Sequence, residues 1–418
     1  MEYAQMIRIK QTLEDHALED IPKEIKSQIA NLRLEKAVIP GQTVAVACSS
    51  RGIANYGVIV KTVVACLKKL GLEPFIIPAM GSHGAATAAG QKRVLEHLGI
   101  DEKDAGASIR SSLDVVQIGK TEDHVPVYLD KLAHTADHIV LINRIKKHTE
   151  FEHEFESGLL KMMAIGLGKQ KGAATYHEAM LTYGYARVIL TIARKVIQHA
   201  NMLLGVGIVE DGHGQTASIG ICQTREIEAT EKKLFKMAKK FAPGLPFKAA
   251  DILIIDEMGK DISGTGFDTK VVGRIGLPLV CEEPQSPKIK RIVVCDLTQQ
   301  SEGNAVGVGI ADMITKRLFG KIDMEAFNMN TLTGVCPEMG KIPLTLKNDR
   351  EAISAAIKCV GLIPVEKLKI MRIKNTSHLG EIEISEAYAE ELVKREDLEA
   401  VTDKRHLQFD LTGNLEPF

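Results

Sequence analysis

The strongest constraint in this chain is the alternation, from residue 43 onward, of short apolar runs with amphipathic segments. TVAVAC (43–48) follows Pro40-Gly41 and stops at Ser49-Ser50-Arg51-Gly52, as a buried strand ends in a turn. Val58, Ile59, Val63, Cys66, Leu67 and Leu70 then recur at three- and four-residue spacing up to Gly71, which predicts a helix. PFIIP (74–78) repeats the strand pattern, and a second helix is predicted beyond it through Leu95 and Leu98 to Gly99. Strand, helix, strand, helix requires right-handed crossovers in a mainly parallel sheet, and ligands of such sheets gather at the carboxyl ends of the strands. Arg51 and His83 both fall in loops of that kind.

Further strands are predicted at 114–119, 125–129, 138–143 and 203–209. Residues 225–241 read as a Lys-rich amphipathic helix that runs into Ala242-Pro243-Gly244-Leu245-Pro246, a breaker cluster suited to a hinge. A second α/β pattern starts with ADILIID (250–256) and RIVVCDL (291–297), each followed by a Gly-rich stretch. The expected fold class is therefore α/β, with two α/β domains, mainly parallel sheets and an active-site cleft between the domains. The expected boundaries are an N-terminal domain over 1–245 and a C-terminal domain over 246–375. A charged helical segment over 376–418 is expected to pack back on the first domain.

Composition removes several function classes. Lys+Arg at 53 against Asp+Glu at 54 leaves a net charge of -1, so no global basic field draws nucleic acid or an anionic membrane. Aromatics at 4% with no Trp leave few platforms for stacking bases or sugars. The seven cysteines are scattered without a CxxC pair, which points to reduced thiols in the cytoplasm and away from a disulfide framework or zinc ribbon. The start, MEYAQMIRIKQTLEDH, has no apolar signal-peptide core, and no uncharged apolar run nears the roughly 20 residues of a membrane span.

Three Gly-rich segments, 166–172, 264–268 and 303–309, lack the strand-turn-helix context of a dinucleotide fingerprint, and no GxxxxGK[ST] or HExxH occurs. The histidines carry more. His83 occupies a strand-to-helix loop, and His148, His153 and His177 cluster around 147–177. With Arg51 nearby, such a site offers a two-pronged carboxylate clamp beside imidazoles that exchange protons near neutral pH, which suits a small carboxylic acid. A structural salt bridge would use Arg51 equally well. Lys161, set in Ser157-Gly-Leu-Leu-Lys161-Met-Met, is either used chemically or reaches solvent along a helix. Lys260, Asp261 and Asp268 face a cleft or serve a turn.

Taken together, SSRG (49–52), GSHG (81–84), SGLLK (157–161) and His177 resemble, in order and spacing, the nickel-dependent lactate racemase family, most specifically over residues 40–180. The resemblance implies a two-domain enzyme that binds a nickel-pincer nucleotide, a pyridinium nucleotide with sulfur substituents and a nickel-carbon bond. By similarity, Lys161 tethers the cofactor through a thioamide and His177 ligates nickel. Arg51 holds the substrate carboxylate, and Gln299 and Gln300 occupy a loop with polar substrate-binding side chains, although loop solvation explains those two equally well. His83 and a second histidine act as acid and base while hydride leaves and returns to a 2-hydroxy acid. The chain departs from the family pattern twice. Cys48 stands where an Asp is expected, and the second catalytic histidine aligns with Phe151. His148 or His153 must then substitute, and His148 is favoured because it lies just beyond the strand 138–143. The substrate is left open between lactate and a larger or dicarboxylic 2-hydroxy acid. Implied partners are that substrate and the proteins that build the cofactor, with no nucleic acid or membrane. The alternatives are a hydroxy-acid oxidoreductase or lyase with a dissociable cofactor, and a noncatalytic carboxylate- or nucleotide-binding protein.

Overall fold

The breaker cluster at Pro243 marks a division in the computed structural model, which describes residues 3–277 and 281–418. One unit is Glu14–Ala242, and the other joins Pro243–Phe418 to the described residues up to Leu13. The fold is α/β with mainly parallel sheets.

Strand β1 (Gln5–Gln11) precedes the first unit. Within Glu14–Ala242 lie β2 (Thr43–Cys48), β3 (Glu73–Pro78), β4 (Val115–Lys120), β5 (Pro126–Asp130), β6 (His138–Arg144), β7 (Met202–Glu210) and β8 (Thr216–Gln223). Five form a sheet in the order β3-β2-β6-β7-β8, parallel except for the last pair, while β4 and β5 form a separate antiparallel pair. The apolar run of β2 is buried from Val44 to Cys48 because helices cover both faces of the sheet. The helix Tyr56–Lys69 turns Ile59, Val60, Val63, Val64 and Leu67 onto it. Each such aliphatic side chain contributes roughly 1.5–3 kcal/mol on burial. Cys48 lies level with Pro78 on β3 and with Ile142 on β6, so three parallel strands finish at one edge.

The second unit carries β9 (Ala249–Met258), β10 (Lys288–Leu297), β11 (Met313–Thr315), β12 (Leu344–Leu346), β13 (Ile370–Ile373), β14 (Glu381–Ser385), β15 (Leu398–Ala400) and β16 (Arg405–His406). Its order is β12-β11-β10-β9-β13-β14-β1-β15, with β16 also on β1. The strands run parallel from β12 to β13 and antiparallel from there on.

Two features differ from the sequence reading. The segment 376–418 supplies strands β14–β16 and only short helical turns, at Glu386–Tyr388 and Ala389–Leu392, instead of a charged helix on the first domain. The N-terminal strand β1 belongs with these strands, not with the unit that follows it in sequence. Period-two alternation in both segments is the reason. Ile7 and Ile9 pair with Ile384 and Ile382, and Arg8 and Lys10 pair with Glu383 and Glu381. The charges that suggest a helix in the C-terminal segment are instead cross-strand partners, and Glu383 among them is buried and paired with Arg8, Arg372 and Arg405. Among the described residues no helix is long and apolar enough to cross a membrane.

Candidate active site

The common edge of β2, β3 and β6 gathers three loops. The loop after β2 carries Arg51 and is pinned at both sides: Ser49 N–H donates to Tyr56 Oη at 2.6 Å, and Ala54 N–H donates to Glu210 Oε1 at 2.8 Å. Glu210 also pairs with Arg144 at the end of β6, so one carboxylate ties the Arg51 loop to that strand. Cys48, just beneath, is fully buried, and loss of water pushes its thiol up to about 12. It is a packing residue with no thiolate to offer.

The loop after β3 holds His83 in an extended conformation ahead of three consecutive left-handed residues, Gly84 (φ 63), Ala85 (φ 53) and Ala86 (φ 49). Left-handed alanines each cost about 1 kcal/mol, so surrounding contacts must impose the turn. Gly84 is required for a further reason, since a Cβ there would meet the backbone of Gly90 at 2.3 Å.

The loop after β6 is closed by paired backbone hydrogen bonds between Lys146 and Ser157, at 2.9 and 3.1 Å. Inside it the buried Glu156 carboxylate accepts from the backbone of His148 (2.5 Å) and of His153 (3.5 Å). His148 is buried, with its ring 4.6 Å from that of Phe151 and 6.1 Å from that of Tyr185. His153 is exposed and lies against Phe155.

Lys161 follows on a short helical turn, Leu159–Lys161, which continues into a π-helical turn over Met162–Gly166 where Leu167 N–H donates five residues back to Met162 O at 2.9 Å. The start of this segment is capped from outside by the fully buried Glu231, which accepts from Leu160 N–H at 2.9 Å. Gly158 is what admits that carboxylate, because a Cβ there would stand 2.4 Å from Glu231 Oε1. Asn143, at the end of β6, holds Gly158 O at 2.7 Å.

Lys161 Nζ and His148 Nε2 are 2.5 Å apart. Glu150 N–H donates to His148 Nδ1 at 3.1 Å, so a neutral imidazole carries its proton on Nε2. That proton then faces Nζ, a contact that disfavours the ammonium form of Lys161. The electrostatics agree. Loss of water lowers Lys161 to about 8, with the Glu150 carboxylate opposing the shift and the Arg51 guanidinium adding to it. Arg51, His148 and Glu150 therefore all act on Lys161.

His177 is half-buried on the helix Lys169–Tyr183. Ala173, one turn earlier on the same face, would lie 3.1 Å from a Cβ built at Gly81, and Ile165, one turn after Lys161, would lie 3.7 Å from it. The His83 loop thus packs against both the Lys161 and the His177 segments. Among the described residues no group of three or more His, Cys, Asp or Glu side chains gathers as a metal cage. A nucleophilic amine and a single imidazole on adjoining helical segments fit a group attached covalently at one point and bound through its own metal at another.

Gln299 and Gln300 lie in the other unit, exposed on the turn after β10. In the same unit Lys260 Nζ donates to Gly264 O at 2.5 Å, Asp261 accepts from Thr298 Oγ1 at 2.6 Å and Asp268 caps Thr269–Val272, which is turn chemistry. Sequence reasoning passed over Glu150, Glu231, Glu210 and Tyr185. Of these only Glu231 left a signal: it falls in the apolar stripe of Ile227–Phe241, between Ile227 and Phe235.

Comparison with known proteins agrees with this architecture. Residues 2–188 match the family model described as the lactate racemase N-terminal domain. A crystal structure of a Thermotoga maritima protein superposes with a TM-score of 0.52 at 15% identity, covering 88% of this chain and 99% of that one. The lactate racemase apoprotein from Thermoanaerobacterium thermosaccharolyticum superposes with a TM-score of 0.55 at 16% identity, over 90% and 99% of the two chains. No curated protein matches.

Proposed function

Because residues 2–188 match the family model of the lactate racemase N-terminal domain, we propose that this protein is a cytoplasmic racemase or epimerase of a 2-hydroxy acid, carrying a nickel-pincer nucleotide on Lys161. The observation that supports this most is Lys161, with its ammonium weakened by loss of water and by Arg51, held against His148. Lys161 would hold the nucleotide as a thioamide, and His177 would donate to its nickel. When bound, that group supplies a reversible hydride acceptor.

The remaining steps belong to the chain. Arg51 presents its planar fork to the substrate carboxylate and fixes which face of C2 is offered. His83 and His148 would exchange the hydroxyl proton, each serving one orientation of the hydroxyl; for His148 to accept at Nε2, its ring proton has to pass to Nδ1 and displace the Glu150 N–H. A thioamide nitrogen has no basic lone pair, so Lys161 in that form would no longer accept from His148 Nε2. Glu156 fixes the backbone of His148. The proteins that build the nucleotide are the implied partners.

The test is production with and without the cofactor's biosynthetic enzymes, followed by intact mass, nickel content and turnover of each enantiomer of a 2-hydroxy acid panel. Loaded protein should racemise at least one acid, and unloaded protein none. Lys161→Ala should lose the adduct, whereas His177→Ala should keep it with less nickel. Turnover by unmodified, metal-free protein would point to the oxidoreductase or lyase instead, and binding without turnover to a carrier.

A further inference from the structure

Lys169, in the Gly-rich segment 166–172, is fully buried although it is a lysine, and it holds a left-handed backbone (φ 56) at the first position of the helix that carries His177. Its ammonium donates to Pro78 O at 2.7 Å and to Gln91 Oε1 at 2.6 Å, and Asp130 Oδ2 stands 3.5 Å away as counter-charge. Gln91, also fully buried, turns its amide N–H groups to Met80 O (3.1 Å) and Gly81 O (2.9 Å). Asp130 caps the helix Lys131–Thr135 with Oδ1, and its own N–H donates to Leu167 O at 2.7 Å.

The struts of this node share one pattern. Pro78, Met80 and Gly81 lead directly into His83, Leu167 ends the π-helical turn that follows Lys161, and Lys169 opens the helix of His177. A buried ion pair is a poor way to gain stability, because apolar residues of similar volume serve as well or better. What the charge adds here is geometry: one ammonium with fixed acceptors sets where the His83 loop stands relative to two helical segments. Burial weakens the charged form of both Lys169 and Asp130, so the node persists only while its hydrogen bonds are complete.

We propose that Lys169, acting through Gln91 and Asp130, is the positioning residue that fixes His83 against the segments carrying Lys161 and His177. Its catalytic consequence rests on the roles assigned to those residues above, whereas the positioning itself does not.

The experiment compares the full chain with two variants, Lys169→Met/Asp130→Asn and Gln91→Met. The double variant leaves neither charge buried alone, so its melting temperature should stay within a few degrees of the parent. Gln91→Met removes only the tie to Met80 and Gly81. In both, amide exchange over 79–84 should rise at least tenfold while that of β2 is unchanged, and the cofactor-loaded holoenzyme should lose at least tenfold in kcat with KM within threefold. Parent-like exchange over 79–84 in both variants would overturn the proposal, as would a uniform rise across the unit that tracks the melting temperature. Faster loop exchange in a loaded protein whose parent racemises nothing would support the positioning and refute the function.

Discussion

If its surroundings weaken the ammonium of Lys161, its reactivity should report those surroundings quantitatively. An amine at about 8 in place of the ordinary 10.5 is roughly one-tenth unprotonated at pH 7, against about three parts in ten thousand for an exposed lysine, an advantage near 300-fold. A small acylating agent at limiting concentration, such as p-nitrophenyl acetate, should therefore mark Lys161 ahead of the other lysines, and peptide mass spectrometry across a pH series should give a midpoint near 8. The neighbours supply the sign test. Arg51→Met removes a cation that disfavours the ammonium, so the midpoint should rise; Glu150→Gln removes an anion that favours it, so the midpoint should fall. A unit charge roughly 8 Å away at an effective dielectric of about 30 changes a proton affinity by about one pKa unit, which is the scale expected of each. A parent midpoint near 10.5, or shifts of the same sign in both variants, would refute the reasoning.

Three further outcomes follow from the same region. Burial raises Glu231 to about 7 from 4.5, so its stabilising contribution is complete below pH 4.5 and is lost as pH rises through 7; urea unfolding should show a fall of roughly 3 kcal/mol over that window in the parent and little slope in Glu231→Gln. Gly158→Ala should cost about 2 kcal/mol or more, because its Cβ would stand 2.4 Å from the fully buried Glu231 carboxylate, whose displacement strains its hydrogen bond from Leu160 N–H, and an unchanged melting temperature would contradict that contact. Cys48 should resist thiol reagents in the native protein while the exposed Cys359 is labelled first; rapid native labelling of Cys48 would show that the edge beneath Arg51 is open.

Much of the first unit was legible before any coordinates. TVAVAC, PFIIP and HIVLIN are apolar runs framed by turn residues, and they form β2, β3 and β6 with almost those boundaries. The right-handed alternation of strands and helices then places Arg51 and His83 at one edge, since parallel strands must end together where crossovers return. Strand β1 escaped notice because its partner β14 lies more than 370 residues away and each alone is a short, charged, alternating segment. Lys169 was visible only as part of a Gly-rich turn, for its acceptors Pro78 and Gln91 come from 91 and 78 residues earlier in the chain.

Local pattern therefore determined which residues lie on strands, which on helices and which in the loops at the strand ends, because periodicity and turn chemistry act over a few neighbours. The weakened ammonium of Lys161, the contact of its Nζ with His148, the inertness of Cys48 and the sheet that β1 joins were decided by tertiary structure alone. Each depends on desolvation, on charge, or on an exposed hydrogen-bonding edge contributed by residues remote in sequence, and such fields are sums over what packs together in space.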